Sequence, residues 1–192
     1  VIEISVDEKL MATIKCGASE FNIMASAAEE YPDLPDVDSD AGVKVRNSVL
    51  RDMISRTSFA ISDNENKPIH TGSLFEVEDL SLTVVSVDGY RLAIRRAECE
   101  NLRHGAFHFV VPGDTLREIS RILPEDDDFT TICPERKHAL FQFSGTLVTT
   151  RLLEGEFLNY RSAVPADQPI RLEIDVRSFI ESVERVSLII SE

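Results

Sequence analysis

Three times along the chain, a short run of alternating apolar and polar residues leads into an amphipathic stretch. Val43 and Val45 alternate with Lys44 and Arg46 and precede Leu50; Phe109 and Val111 precede Leu116, and Leu172 and Ile174 precede Phe179, at the same offsets. Alternation with period two predicts a strand, and apolar residues at i, i+1, i+4 and i+5, as in Val49, Leu50, Met53 and Ile54, predict one buried helical face. Each set therefore predicts a strand running into a helix. The anchors Leu50, Leu116 and Phe179 stand 66 and 63 positions apart, so the repeating unit is about half of a small domain.

Within a unit the predicted order is strand, helix, then three strands. The first helix is expected over Asn47 to Phe59, with Asn47 or Ser48 as its cap. Strands follow at Ser73 to Glu78 and Leu82 to Ser86, and Asp88-Gly89 has the chemistry of a tight hairpin turn into Tyr90 to Arg95. The second unit repeats this with Phe107 to Val111, a helix over Thr115 to Leu123, and strands near Thr130, Leu140 and Val148. A slower echo places Glu30-Tyr31-Pro32-Asp33 after a strand at Phe21 to Ala25, and Glu156-Phe157-Leu158-Asn159 after a strand at Leu147 to Leu153. Two units thus make one domain. Antiparallel strands with segregated helices predict an α+β fold. Turn-residue clusters at Tyr31 to Asp40 and Val164 to Pro169 predict three segments: the last strands of one domain over 1–41, a complete domain over 42–165, and the start of another over 166–192.

Composition adds limits. The 192 residues include 20 basic and 34 acidic side chains, for a net charge of -14, which at first sight disfavours a partner as negative as nucleic acid. Cys16, Cys99 and Cys133 are widely spaced and predict neither a disulfide framework nor a zinc site. The opening Val-Ile-Glu-Ile-Ser-Val lacks a signal-peptide pattern, and no stretch approaches the ~20 apolar residues of a membrane span. The expectation is a soluble cytoplasmic protein without a membrane partner. Because the first residues already alternate as a strand, the chain is expected to begin inside a domain.

Candidate chemistry is sparse. His70, His104, His108 and His138 lack metal-ligand spacing with one another or with a cysteine, and no GxSxG, GxGxxG or Walker A pattern occurs. No metal or other cofactor is expected. Glu125-Asp126-Asp127-Asp128 is the sharpest enzyme-like feature, since clustered carboxylates can hold Mg²⁺ for phosphoryl transfer. Its position between a helix ending at Leu123-Pro124 and a strand also fits a solvated loop. Basic residues meet the charge objection: Arg117 and Arg121 project together opposite Leu116, Ile119 and Leu123, and Arg51, Arg56, Arg177 and Arg185 lie on the other helices. If the repeat sets its helices on one side of the sheets, these arginines line a positive surface on an acidic body. Such a surface would touch phosphates rather than base edges.

Several runs together resemble one family. Leu50-Arg51-Asp52-Met53-Ile54 through Thr57-Ser58-Phe59-Ala60, Thr71-Gly72-Ser73-Leu74-Phe75-Glu76, and Val87-Asp88-Gly89-Tyr90-Arg91-Leu92-Ala93 are similar to the central domain of bacterial DNA polymerase III beta subunits. So are Val110-Val111-Pro112-Gly113 and Arg151-Leu152-Leu153-Glu154-Gly155-Glu156-Phe157-Leu158-Asn159-Tyr160-Arg161, in the family's order. The resemblance implies a DNA clamp fold, with antiparallel sheets outside and helices lining the inner face of a homodimeric ring. It implies a processivity factor for the replicative polymerase, with no catalytic site of its own, that encircles double-stranded DNA regardless of sequence.

The resemblance also implies site residues. A pocket for short linear motifs of the polymerase III catalytic subunit, the clamp loader and repair proteins maps to His70, Val87, Gly89, Tyr90, Arg91, Leu92, Leu158, Ser162 and Ala163. Apolar Leu92, Leu158 and Ala163 beside a polar Arg91 suit a peptide groove. The family usually has Leu where His70 stands and Pro where Leu158 stands. DNA-facing positions are Arg51, Arg56, Lys67, Arg117, Arg121 and Arg177. The ring-closing contact maps to Phe21 and Ile23 on one side and Leu188 and Ile189 on the other. Two readings from other classes stay open: a metal-dependent phosphotransfer enzyme using Glu125 to Asp128, and a peptide-binding scaffold unrelated to DNA.

Overall fold

The computed structural model describes residues 1–30, 41–165, 167 and 169–190. The expected linker at Tyr31 to Asp40, and with it the Tyr31-Pro32-Asp33 echo, lies outside them, as do Ala166 and Gln168 in the second boundary. Contacts divide the chain into two units, Val1–Glu156 and Phe157–Glu192, described here one at a time.

In the first unit, β1 (Ile2–Val6), β2 (Met11–Cys16) and β3 (Ser19–Met24) form a three-stranded antiparallel meander with β3 at one edge. None of its residues is buried. The two predicted half-units follow. The first comprises β4 (Val43–Arg46), α1 (Asn47–Ser55), β5 (Gly72–Glu78), β6 (Ser81–Val87) and β7 (Leu92–Glu98), with the short β8 (Glu100–Asn101) added at its end. The second comprises β9 (Phe107–Pro112), α2 (Gly113–Ile122), β10 (Phe129–Pro134), β11 (His138–Phe143) and β12 (Thr146–Arg151).

Each half-unit lends its first strand to the other's sheet. β4 pairs antiparallel with β10, giving the order β12-β11-β10-β4-β8, and β9 pairs antiparallel with β5, giving β7-β6-β5-β9. This reciprocal exchange joins the repeats into a single core, because neither half can complete its sheet alone. Val43, Val45, Leu50, Met53 and Ile54 from the first half meet Val111, Leu116, Ile119 and Ile132 from the second, all at most 1% exposed. At the centre Phe75 stacks on Phe109 at 5.4 Å and presents an edge to Phe141 at 6.5 Å, the offset and perpendicular arrangements that aromatic quadrupoles favour. Each such side chain contributes about 1.5–3 kcal/mol by leaving water.

Several expectations need correction. The first helix stops at Ser55 rather than Phe59, because Thr57 Oγ1 donates to Met53 O (2.8 Å) and the chain tightens into a 3-10 turn at Ser58–Ala60. Neither Asn47 nor Ser48 caps it; the N-cap position is Arg46, which makes no side-chain cap bond. The second helix begins at Gly113, two residues before Thr115.

The second unit contains α3 (Tyr160–Ala163) and α4 (Val176–Ser187). The third predicted strand, at Leu172 and Ile174, does not form. Both residues are exposed, and the second unit contains no described strand with which they could share backbone hydrogen bonds. The helix itself forms, capped by Asp175, whose carboxylate accepts from the Ser178 N–H at 2.9 Å. No described helix is long and apolar enough to cross a membrane.

Candidate functional site

The β6–β7 hairpin carries five of the positions expected for a peptide pocket. Val87 pairs with Leu92, and Asp88 to Arg91 make the turn between them. Gly89 sits at φ +93°, a positive-φ conformation that residues with a Cβ rarely adopt and that the turn requires. Asp88 organises the rest: Oδ1 accepts from the Tyr90 N–H (3.0 Å) and the Arg91 N–H (3.1 Å), and Oδ2 accepts from Arg91 Nε (2.7 Å). The Tyr90 N–H, then the Arg91 guanidinium and backbone, hold the Asp88 carboxyl below its ordinary value. Arg91 also lies over the ring of Phe59, 5.8 Å from its centroid, within cation–π range. Val87 is buried and Leu92 half-buried, whereas Tyr90 is fully exposed. The hairpin thus presents a Tyr-Arg tip on an apolar base.

His70 lies in a 3-10 turn, Pro68–Thr71, that leads into β5; its N–H donates to Lys67 O and its carbonyl accepts from the Ser62 N–H, both at 3.0 Å. Burial, and after it the charge of Lys67, pushes the His70 imidazole below its usual value, so it is a neutral group near pH 7. The other positions expected for the pocket, Leu158, Ser162 and Ala163, fall in the second unit. There Leu158 is exposed, and Ser162 Oγ donates to Asn159 O at 2.8 Å beside the exposed Ala163 in α3.

The helical arginines are less free than their spacing suggested. Arg51 is only 28% exposed; it reaches across to the end of α2, donating to Leu123 O and pairing with Glu125 at 3.3 Å. Arg56, the residue that follows α1, pairs with Asp52 of that helix, and Asp52 also holds Arg95 of β7 at 2.8 Å. The Arg56 hydrogen bond above all keeps the Asp52 carboxyl low. On α2, Arg117 pairs with Asp114, and Arg121 with Glu118 at 2.8 Å. Four arginines of the expected DNA-facing set therefore have carboxylate partners. Lys67, in the loop before β5, and Arg177, on α4, have none among the described residues.

The acidic run closes the entrance to α1. Asp126 Oδ1 accepts from Asn47 Nδ2 (2.7 Å) and from the Asp128 N–H (3.2 Å); Asp127 accepts from Ser48 Oγ (3.2 Å), and Asp128 O accepts from the Asn47 N–H (2.8 Å). Asn47 Oδ1 in turn accepts from the buried Thr130 hydroxyl at 2.6 Å. The Asp128 carbonyl thus satisfies an orphan N–H of the first turn, while the carboxylates, bonded to side chains of that turn, oppose its positive dipole end. Among the described residues no three His, Cys, Asp or Glu side chains are grouped to hold a metal ion. His104 and His108 are separated by the turn into β9, with His104 at φ +52°.

For the ring-closing set, Phe21 and Ile23 lie on the edge strand β3, exposed by 61% and 54%. Leu188 and Ile189 follow α4, both more than four-fifths exposed. Two contributors to the hairpin were not singled out from sequence as site residues: Phe59, whose approach to Arg91 crosses 32 positions and has no local signal, and the Asp88 side chain, whose i, i+3 spacing to Arg91 was available.

Residues 44–159 match the family described as DNA polymerase III beta subunit, central domain. The chain is 33% identical over its whole length to the beta sliding clamp of Halalkalibacterium halodurans, covering 51% of that protein. It is 30% identical to the beta sliding clamp of Bacillus subtilis, covering 50% of it. The crystal structure of the Bacillus subtilis DNA polymerase sliding clamp superposes on the whole chain with a TM-score of 0.90, again over 50% of its own length. The chain spans about half the length of these relatives, and on these grounds it belongs to the DNA polymerase III beta subunit, or beta sliding clamp, family.

Proposed function

We propose that this chain is the middle portion of a sliding clamp, an accessory subunit without a catalytic site that tethers the replicative DNA polymerase to duplex DNA by encircling it. In this reading 1–41 are the last strands of a first clamp domain with its linker, 42–165 are a complete central domain, and 166–192 open a third. The observation that carries it is the pair of half-units with exchanged first strands, in a chain that belongs to the clamp family over its full length. Two such full-length chains close a cytoplasmic homodimeric ring through β3, with Phe21 and Ile23, and the segment after α4, with Leu188 and Ile189. Helices carrying Arg51, Arg56, Arg117, Arg121 and Arg177, with Lys67 beside them, face the phosphates. These contacts are sequence-independent, and the ring holds DNA by topology rather than by affinity.

The polymerase III catalytic subunit, clamp loader and repair proteins dock as extended motifs at the Tyr90–Leu92 hairpin, His70 and the Leu158–Ala163 segment. The test is retention. The full-length protein, loaded on a nicked circular duplex, is expected to stay through gel filtration and to be lost when a restriction enzyme linearises the circle; blocking the linear ends restores retention. Equal loss from circular and end-blocked linear duplexes, or equal retention on circular and open linear DNA, would rule out encirclement.

A further inference from the structure

The turn that presents Arg91 leaves its guanidinium half used. Nε is committed to Asp88 Oδ2 at 2.7 Å, and the guanidinium carbon lies 5.8 Å from the Phe59 ring centroid. The same carboxylate ties down the backbone N–H groups of Tyr90 and Arg91, so side chain and turn are fixed by one group. The two terminal nitrogens, Nη1 and Nη2, have no hydrogen-bond partner among the described residues, although the side chain is 58% exposed. Next to it stands Tyr90, which touches little of its own chain.

An arginine held at Nε and over an aromatic face has lost most of its rotamer freedom before any ligand arrives, which removes a cost that binding would otherwise carry. What it still offers is the planar Nη1–Nη2 edge, whose donors match two oxygens about as far apart as those of a carboxylate. Asp88 offsets the positive charge, so attraction at a distance is weak and the alignment of the acceptor decides. A single carbonyl oxygen fills only part of that edge.

We propose that Arg91 is a preset carboxylate receptor for docking peptides, with Asp88 and Phe59 as its positioning residues. The inference rests on the peptide-pocket reading above and adds to it the chemical class of the group received: an acidic side chain of the motif or the peptide's own terminal carboxylate.

The experiment uses the full-length protein and three fluorescent versions of one decapeptide, a sliding-clamp docking motif synthesised with a single acidic residue. One keeps that residue and a free C-terminus, one has the residue changed to its amide, and one ends in a carboxamide. Anisotropy titration should show about a tenfold loss for one of the two amide forms, the size expected for a charge-assisted bidentate contact; which form loses affinity identifies the source of the carboxylate. Arg91→Lys should abolish the difference between acid and amide. Asp88→Asn and Phe59→Leu should shrink the ratio of acid to amide affinity, a change of selectivity that a uniform loss of binding from general damage to the hairpin would not produce. If all three peptides bind the native protein equally, the carboxylate inference is overturned and the pocket stands. If none binds, the pocket reading itself fails. If Arg91→Lys leaves peptide discrimination intact but weakens binding to a duplex oligonucleotide, the fork serves phosphate and the proposal is wrong.

Discussion

Asn47 is the polar side chain on which the interior depends most. It is fully buried, and both polar atoms of its amide are bonded: Oδ1 accepts from the Thr130 hydroxyl and Nδ2 donates to Asp126. Asn47→Leu keeps the branched heavy-atom skeleton but strands the Thr130 donor in a dry environment, which costs about 1–3 kcal/mol. Urea unfolding should show a lower midpoint at unchanged slope, and the double variant Asn47→Leu, Thr130→Val should recover part of the loss; no recovery would mean that packing, not the hydrogen bond, set the cost. Titration gives a second expectation at this scale. Asp88 and Asp52 have folded-state values lowered below the unfolded range of about 3.9. Their contribution to stability is therefore full above that range and is lost as pH falls through the lower folded values. The gap in urea midpoint between the native protein and Asp52→Asn should be constant from pH 7 to pH 5 and close toward pH 3. A gap that widens on acidification would contradict the assigned direction.

Elements show what could be read from sequence and what could not. The half-units were legible because their anchors are buried residues in strict alternation: Val43, Val45 and Leu50 and Phe109, Val111 and Leu116 are all core. The same pattern at Leu172, Ile174 and Phe179 produced a helix but no strand, since a strand also needs a neighbour and alternation says nothing about one. The exchange of β4 and β9 was invisible because it joins residues far apart, Val45 with Thr130 and Phe75 with Phe109. Of the pocket, the hairpin turn followed from Asp88-Gly89, but the Phe59 platform did not. The acidic run was an open question in sequence, and its partners Asn47 and Ser48 lie some 80 positions away. With those contacts, Asp126→Asn with Asp127→Asn should lower stability by about 0.3–1 kcal/mol, as expected for loss of negative charge beside a helix N-terminus. Mg²⁺ at millimolar concentration should leave the Tm of the native protein unchanged. A Mg²⁺-dependent rise that the double variant loses would restore the metal-site alternative.

At the scale of the whole chain, the clamp reading has to explain how 192 residues with a net charge of -14 approach a polyanion. In the clamp reading the arginines of α1 and α2 face phosphate, yet Arg56, Arg117 and Arg121 each hold a carboxylate three or four residues away along the chain. A phosphate then meets a neutralised pair and must compete with Asp52, Asp114 or Glu118 for its donors. Exposed pairs of this kind are worth only about 0.2–1 kcal/mol each, so the exchange is shallow and reversible. That suits a protein that holds DNA by topology, because tight phosphate contacts would resist sliding. Asp114→Asn with Glu118→Gln releases Arg117 and Arg121 without adding a cation. The full-length double variant should bind a short linear duplex several-fold more tightly at low salt. Its log–log salt dependence should steepen by about 0.9 for each new phosphate contact. On a nicked circle the same variant should diffuse more slowly while being retained equally well, since retention depends on closure and mobility on contact. Unchanged affinity and salt slope would mean that α2 does not face the duplex, and the arrangement of helices toward DNA would have to be abandoned even if the ring itself were kept.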